Sequence, residues 1–205
     1  MDNSSFNIKE EDHFFYKKLI TERFLNNPRM SLLFSKEKKD FNKKVFRLIN
    51  YCFSIAVKQK GVYVSNNKKT IVLFYEQEKF KKSLDDYIRF FNVIKSISFF
   101  KLKRVLKNEK EVKEHKLKLN NYIYVWFIAQ DKNYKKLDGL VEINKMLFDL
   151  ARKRKLPILF ETSDYRLLNF YKKAGFDIYN QMVREGEIIY FFADKFTYEK
   201  YKKNS

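Results

Sequence analysis

Apolar positions recur along this chain with two periods, and the switches between them mark the elements. Residues 14–25 place Phe14, Phe15, Leu19, Ile20 and Phe24 near the helical repeat, and Asn26-Asn27-Pro28 ends that pattern. Residues 41–58 give a clearer helix, with Phe41, Val45, Leu48, Ile49, Cys52, Phe53 and Ala56 on one face and Gly61 as terminator. Val62-Tyr63-Val64 and residues 70–75 are β-branched and aromatic runs on either side of Ser65-Asn66-Asn67-Lys68-Lys69, the composition of a hairpin turn. A helix is predicted over 83–100, with Ser83 as N-cap and Asp85 and Asp86 in the first turn, where carboxylates suit the helix dipole. The mixed charges of 101–118 read as the solvated face of a second helix that runs into a loop.

From Tyr122 the pattern tightens. An apolar strand (122–129), a lysine-rich loop (131–136), an amphipathic helix and a second strand (158–161) lead into Asn169-Phe170-Tyr171-Lys172-Lys173-Ala174-Gly175-Phe176. A strand-loop-helix-strand-helix unit of this kind binds anionic groups where its first strand meets its first helix. Strands over 176–183 and 187–193 surround Arg184-Glu185-Gly186, and residues 196–202 predict a short helix. The polar residues 1–12 are expected to be disordered, and with no repeat or Pro/Gly/Ser-rich linker, 13–205 are expected to form one domain. The expected class is α/β (α+β), a mixed and mostly antiparallel sheet with helices on both faces.

Composition narrows the partners. With 205 residues, 22 Phe and 14 Tyr against 4 Gly and 2 Pro, a sizeable core is available and a loop-rich sandwich, a collagenous chain or a low-complexity linker is excluded. Cys52 is the single cysteine and has no partner for an internal disulfide, and the start lacks the basic and apolar regions of a secretion signal. A cytoplasmic setting is expected. Every apolar run is interrupted before the roughly 20 residues a membrane span needs, so no membrane partner is expected. His13 and His115 lack companions at zinc-binding spacing, and no metal is expected. The net charge of +19 fits a nucleic-acid partner, but the lysines are spread over nearly every segment. Lys, Asn, Phe, Tyr and Ile are over-used together, as an AT-rich coding bias would produce, and this reading ranks first. A basic surface still speeds encounter with any anionic ligand, a nucleotide cofactor included.

Residues 40–195 resemble the GNAT superfamily of acetyl-CoA-dependent N-acetyltransferases, in the branch similar to puromycin N-acetyltransferase. Tyr124-Val125-Trp126-Phe127-Ile128 resembles the family's fourth strand, and Leu156-Pro157-Ile158-Leu159-Phe160-Glu161-Thr162-Ser163 its fifth strand and exit. Residues 170–176 match the family's Phe-Tyr-x-x-x-Gly-Phe. The resemblance implies the GNAT fold and transfer of an acetyl group to a primary amine, on a small molecule or a peptide, within a ternary complex. It implies that the two strands splay, leaving backbone groups of Ile128, Ala129 and Gln130 to hold the pantetheine arm and polarise the thioester. It implies a proton donor to the leaving thiolate at Tyr171, with a backbone N–H stabilising the oxyanion. Glu161, at the end of the fifth strand, is the candidate to take the amine's proton, directly or through water; a carboxylate suits that task when burial raises its pKa.

The resemblance breaks at the diphosphate loop. Six positions that in relatives bring bare backbone N–H groups to the pyrophosphate read Lys135-Lys136-Leu137-Asp138-Gly139-Leu140, with Asp138 and Leu140 at the two glycine positions. An aspartate adds negative charge and a leucine adds bulk where the cofactor should come close. Lys132, Lys135 and Lys136 offer charge in compensation. Leu167 stands where relatives often have a cofactor-touching asparagine. Two outcomes stay open: an acetyltransferase, or a degenerate GNAT-fold protein without acetyl-CoA activity that acts as a binding or interaction module. Tyr171 likewise has two readings, proton donor or aromatic anchor of its helix, and Asp138 also reads as a helix N-cap. The acceptor and the oligomeric state leave no signal in the sequence.

Overall fold

The computed structural model describes residues 8–35, 39–80, 83–95, 97, 99–184 and 186–203. The expectation of disorder over 1–12 falls in part on residues 1–7, outside the described residues. A 3-10 turn at Glu10–Asp12 precedes the first helix. Six strands, β1 (Val62–Val64), β2 (Thr70–Glu76), β3 (Ile123–Gln130), β4 (Ile158–Thr162), β5 (Phe176–Arg184) and β6 (Glu187–Asp194), form one sheet in the order β1-β2-β3-β4-β6-β5. Of these six, only β3 and β4 pair in parallel, and a helix lies between them in the chain, the crossover that a parallel pair needs. The mixed, mostly antiparallel sheet is thus as expected.

Alternation along the strands divides the core between two helical layers. Ile71 and Leu73 of β2 face helices α1 (His13–Phe24), α2 (Pro28–Leu33), α3 (Phe41–Lys58) and α4 (Leu84–Ile94), whose Ile20, Met30, Val45, Ile49 and Val93 share one cluster with them. Val72 and Phe74 face the other way, onto Ile143, Leu147 and Leu150 of α6 (Asp138–Arg154). Tyr171 of α7 (Leu168–Lys173) packs on this second cluster. Helix α5 (Phe99–His115) covers β5 and β6 on the α1 side through Val112, Met182 and Phe191. Helix α8 (Lys195–Lys203) closes the described chain. Among the described residues no helix is long and apolar enough to cross a membrane.

One irregularity sets which way the end of β3 faces. The pairing of β2 with β3 shifts between Leu73↔Phe127 and Phe74↔Val125, which leaves Trp126 as an extra, bulged residue. The bulge reverses the alternation, so that Ala129 faces α1 and Ile128 faces α6. Trp126 is partly buried against Tyr75 and Phe80.

Two helices end on a lysine in the left-handed conformation. Lys155 has φ 54. Its N–H bonds Arg152 O, and Leu156 N–H bonds Ala151 O, the paired bonds of a Schellman stop. A lysine there holds its Cβ against the following carbonyl, a strain of about 1 kcal/mol that glycine lacks. Lys155→Gly is expected to raise the melting temperature by about 2 to 4 °C. A thermal melt that shows no gain would mean that the lysine side chain makes up the difference.

Candidate active site

The sheet splits where a ligand could enter it. β3 and β4 pair only at Ile123↔Ile158 and Tyr124↔Leu159. Beyond that point β3 runs on to Gln130 along β2, and β4 runs on to Thr162 along β6. The facing edges of the two strands diverge, and backbone groups there are left for something other than each other. Ile128, Ala129 and Gln130 lie on the diverging stretch of β3, and Glu161 on that of β4.

Tyr171 and Glu161 flank β4 on opposite faces. The Tyr171 ring packs on Phe160 at 4.7 Å and on Phe192 at 5.3 Å between centroids. Burial, and after it the charge of Asp164, push its phenol up to about 12. It therefore stays protonated throughout the neutral range and has a proton to donate. The neighbouring Gly175 explains the end of the motif: its φ of +99 is a conformation that side chains resist, and an added Cβ would lie 3.1 Å from Phe148 Cζ.

Glu161, on the other face, sits in a charged cluster that sequence reasoning missed. Arg29 Nη1 donates to its Oε1 at 2.7 Å, and Lys116 Nζ lies 3.5 Å from Oε2. The Tyr124 hydroxyl bonds the same carboxylate, and Lys116 stands over the Tyr124 ring at 4.0 Å. Burial acts to raise the Glu161 pKa, but Arg29 and then Lys116 outweigh it, and the net shift is downward. Burial alone would have produced the raised pKa expected of a proton acceptor; the two cations reverse it. Tyr124, fully enclosed, has its own pKa raised by burial first and then by Glu161, so it remains a donor. No spacing rule links Arg29 to Glu161, which are 132 residues apart. The one local signal was Asn27-Pro28: Asn27 caps Arg29 N–H at 2.9 Å and so starts α2 with Pro28 in its first turn, where the sequence pattern had shown only an ending.

The start of α6 is closed by the protein's own groups. Asp138 Oδ1 accepts from Gly139 N–H at 2.9 Å, and its Oδ2 accepts from the Tyr134 hydroxyl at 2.8 Å. The Tyr134 bond, above all, holds the Asp138 pKa below the usual range. Asp138 is the first residue of the helix, and Leu137 is the N-cap, so its capping differs from the expected form by one position. A Cβ on Gly139 would lie 2.3 Å from Thr70 Oγ1 and 3.2 Å from Asn67 Nδ2. This glycine is needed for close packing on the β1–β2 hairpin, and that flank of it is filled. Gln130 ties the same region together, accepting from Thr70 Oγ1 at 3.1 Å and donating to Tyr134 O at 3.0 Å. Lys132, Lys135 and Lys136 are exposed and Leu140 is half-buried. The facing edges of β3 and β4 are thus left unpaired with each other beyond Tyr124↔Leu159. The helix start does not fit a diphosphate held on bare backbone N–H groups.

No family model and no curated protein matches the chain. Solved structures do. The C-terminal condensation domain of Ebony, in complex with beta-alanyl-dopamine, superposes with a TM-score of 0.63 at 6% identity, covering 91% of this chain and 95% of that one. Arylalkylamine N-acetyltransferase 2 from Aedes aegypti gives 0.57 at 12%, covering 91% and 95%. The NatC complex bound to Gag peptide and CoA gives 0.51 at 13%, covering 90% and 91%. With its six-stranded sheet split between β3 and β4 and helices on both faces, the chain has the GNAT acyltransferase fold.

Proposed function

We propose that the protein transfers an acetyl group from acetyl-CoA to a primary amine, by direct attack within a ternary complex. The observation that carries this is the divergence of β3 from β4 beyond Tyr124↔Leu159, with Tyr171 packed on Phe160 at the edge of the opening. Acetyl-CoA, when bound, supplies the acyl thioester. Backbone groups of Ile128, Ala129 and Gln130 hold its arm; Lys132, Lys135 and Lys136 attract its phosphates by charge. The protonated Tyr171 hydroxyl donates toward the departing sulfur. Glu161 holds Arg29 and Lys116 in place on the acceptor side, and its lowered pKa makes it a weaker proton acceptor than an ordinary carboxylate, so the attacking amine's proton passes to water. Neighbours with an amine or a peptide in their names support a small-molecule or peptide amine as acceptor. The resemblance over residues 40–195 supports the branch similar to puromycin N-acetyltransferase.

Titration calorimetry with acetyl-CoA tests the reading: saturable binding below about 1 mM is expected, and absence of heat at that level overturns it. With binding in hand, thiol release in the presence of a panel of arylalkylamines tests the chemistry. Tyr171→Phe is expected to lower turnover about 100-fold with an unchanged melting temperature. Full turnover in that variant would leave the ring as an anchor and nothing more.

A second reading, a GNAT-fold binding module without acetyl-CoA activity, is favoured by the closed start of α6. It expects no binding by the native chain and a gain of acetyl-CoA binding in Asp138→Gly/Leu140→Gly. Tight binding by the native protein ends it.

A further inference from the structure

β2 and β3 are antiparallel neighbours, a pair that a two-residue hairpin can join. The chain instead spends residues 77–122 between them and folds part of that excursion into α4 and α5. Helix α4 is turned against its own pattern. The side it packs on α3 buries Val93 and a carboxylate, Asp86, which pairs with Lys58 at 2.7 Å. The opposite side carries Leu84, Tyr87, Ile88 and Phe91, with exposures of 83%, 57%, 61% and 56%. Their spacing of i, i+3, i+4 and i+7 is that of the apolar stripe by which a helix docks, and here the stripe faces away from the core. Among the described residues nothing covers it. An apolar patch of this extent on a surface marks a place of contact.

We propose that the stripe is the contact between two copies of the chain, with α4 lying antiparallel on α4 about a two-fold axis. Charge complementarity selects a second copy. With Ile88 of each copy level with Phe91 of the other, Leu84 comes level with Lys95 of the second copy, and Asp85 lies one residue, about 1.5 Å of rise, from that level. Asp85 and Lys95 are both exposed, and neither has an ion pair among the described residues. Lys95 holds its ammonium over the Phe91 ring at 4.7 Å, at the margin of the stripe. The two-fold thus forms an Asp85–Lys95 pair at each end of the contact, and it sets the positive end of each helix dipole beside the negative end of the other. A specific interface needs about 1,000 Å² in all, or about 500 Å² from each copy. Four large side chains, each more than half exposed, supply an area of that order. The net charge of +19 opposes the pairing, but that repulsion is long-ranged and is screened beyond about 8 Å at physiological salt, whereas apolar contact is not. Added salt therefore tightens a pairing of two copies and releases an anionic surface or an acidic peptide from the same stripe. The inference uses no residue of the strand gap, so it stands whether or not acetyl-CoA binds.

Sedimentation velocity on the full chain over a concentration series tests the proposal. A monomer–dimer equilibrium with a Kd on the order of 10 to 100 µM is expected, tightening as salt rises from about 0.05 to about 0.5 M. Ile88→Asp/Phe91→Asp is expected to weaken it at least about tenfold, because both carboxylates would be buried in the contact. Val183→Asp, which places a carboxylate on an exposed apolar position of the edge strand β5, is expected to leave it within about twofold. Asp85→Lys is expected to weaken pairing about fivefold through two lost ion pairs, and Asp85→Lys/Lys95→Asp, which keeps the net charge, is expected to restore it. All five positions are exposed, and thermal melts confirm that the variants fold. A monomer at every concentration overturns the proposal, as does association that salt weakens or that Ile88→Asp/Phe91→Asp leaves intact. A native chain that stays monomeric and floats with phosphatidylglycerol vesicles, while Ile88→Asp/Phe91→Asp does not, overturns it in favour of a lipid surface.

Discussion

Gly61→Ala is expected to destabilise the protein by about 3 kcal/mol, at the upper end of what overpacking produces, and to lower its melting temperature by about 6 to 12 °C. An alanine Cβ here would lie 1.9 Å from Phe74 O and 2.9 Å from Phe74 C. Those are backbone atoms in the middle of β2, so no side chain can swing aside. Gly61 is also pinned from both ends: its N–H bonds Ala56 O at 2.7 Å, closing α3, and its O accepts from Phe74 N–H at 2.8 Å, opening β1. Relief requires lifting either the helix end or the edge strand. A variant that melts within about 2 °C of the native protein would show that the hairpin moves freely, and would sink this account.

Glu161→Ala should be nearly as damaging. The substitution leaves Arg29 and Lys116 facing each other without their shared anion. Breaking a fully buried pair costs about 3 to 5 kcal/mol, and we expect about 2 to 3 because the Arg29 and Lys116 side chains keep 28% and 20% exposure. The effect carries a pH signature. The folded-state pKa of Glu161 lies below its ordinary value of 4.5, so the stabilisation is complete above that value and is lost as pH falls through the folded pKa. Native and variant melting temperatures should therefore differ most at neutral pH and converge in acid. A gap that persists unchanged down to pH about 3 would assign the loss to packing instead of charge.

Elements with a strong local period were legible. Helix α3 spans Phe41–Lys58 as its apolar stripe predicts, and the hairpin and β3 fall within a residue of their predicted limits. Where the apolar pattern ran on without Gly or Pro, boundaries were lost: the helix predicted over 83–100 stops at Ile94, and α5 begins at Phe99. Residues 96 and 98 of that junction lie outside the described residues. The rotation of α1 was also misjudged. Phe14 and Phe15 are 67% and 51% exposed, because Tyr16, Leu19 and Ile20 point the helix at its neighbours. Ser83 did cap α4, with Asp86 returning a bond to its N–H at 2.8 Å. Of the candidate site, the strands and the Phe-Tyr-x-x-x-Gly-Phe run could be read because each is contiguous. The partners of Glu161 and the filling of Gly139 by Thr70 could not, since each joins segments far apart in sequence and only the fold brings them together.

The sheet behaves mechanically as two antiparallel blocks, β1-β2-β3 and β4-β6-β5, stitched by a two-pair seam. Helix α6 is the strap that joins them, resting across both through Ile143, Met146 and Leu147. The width of the opening is thus governed by how this helix seats on the blocks and not by any ladder across the gap. Trimming a methylene from its underside would alter the room for a guest while leaving every strand residue as it was.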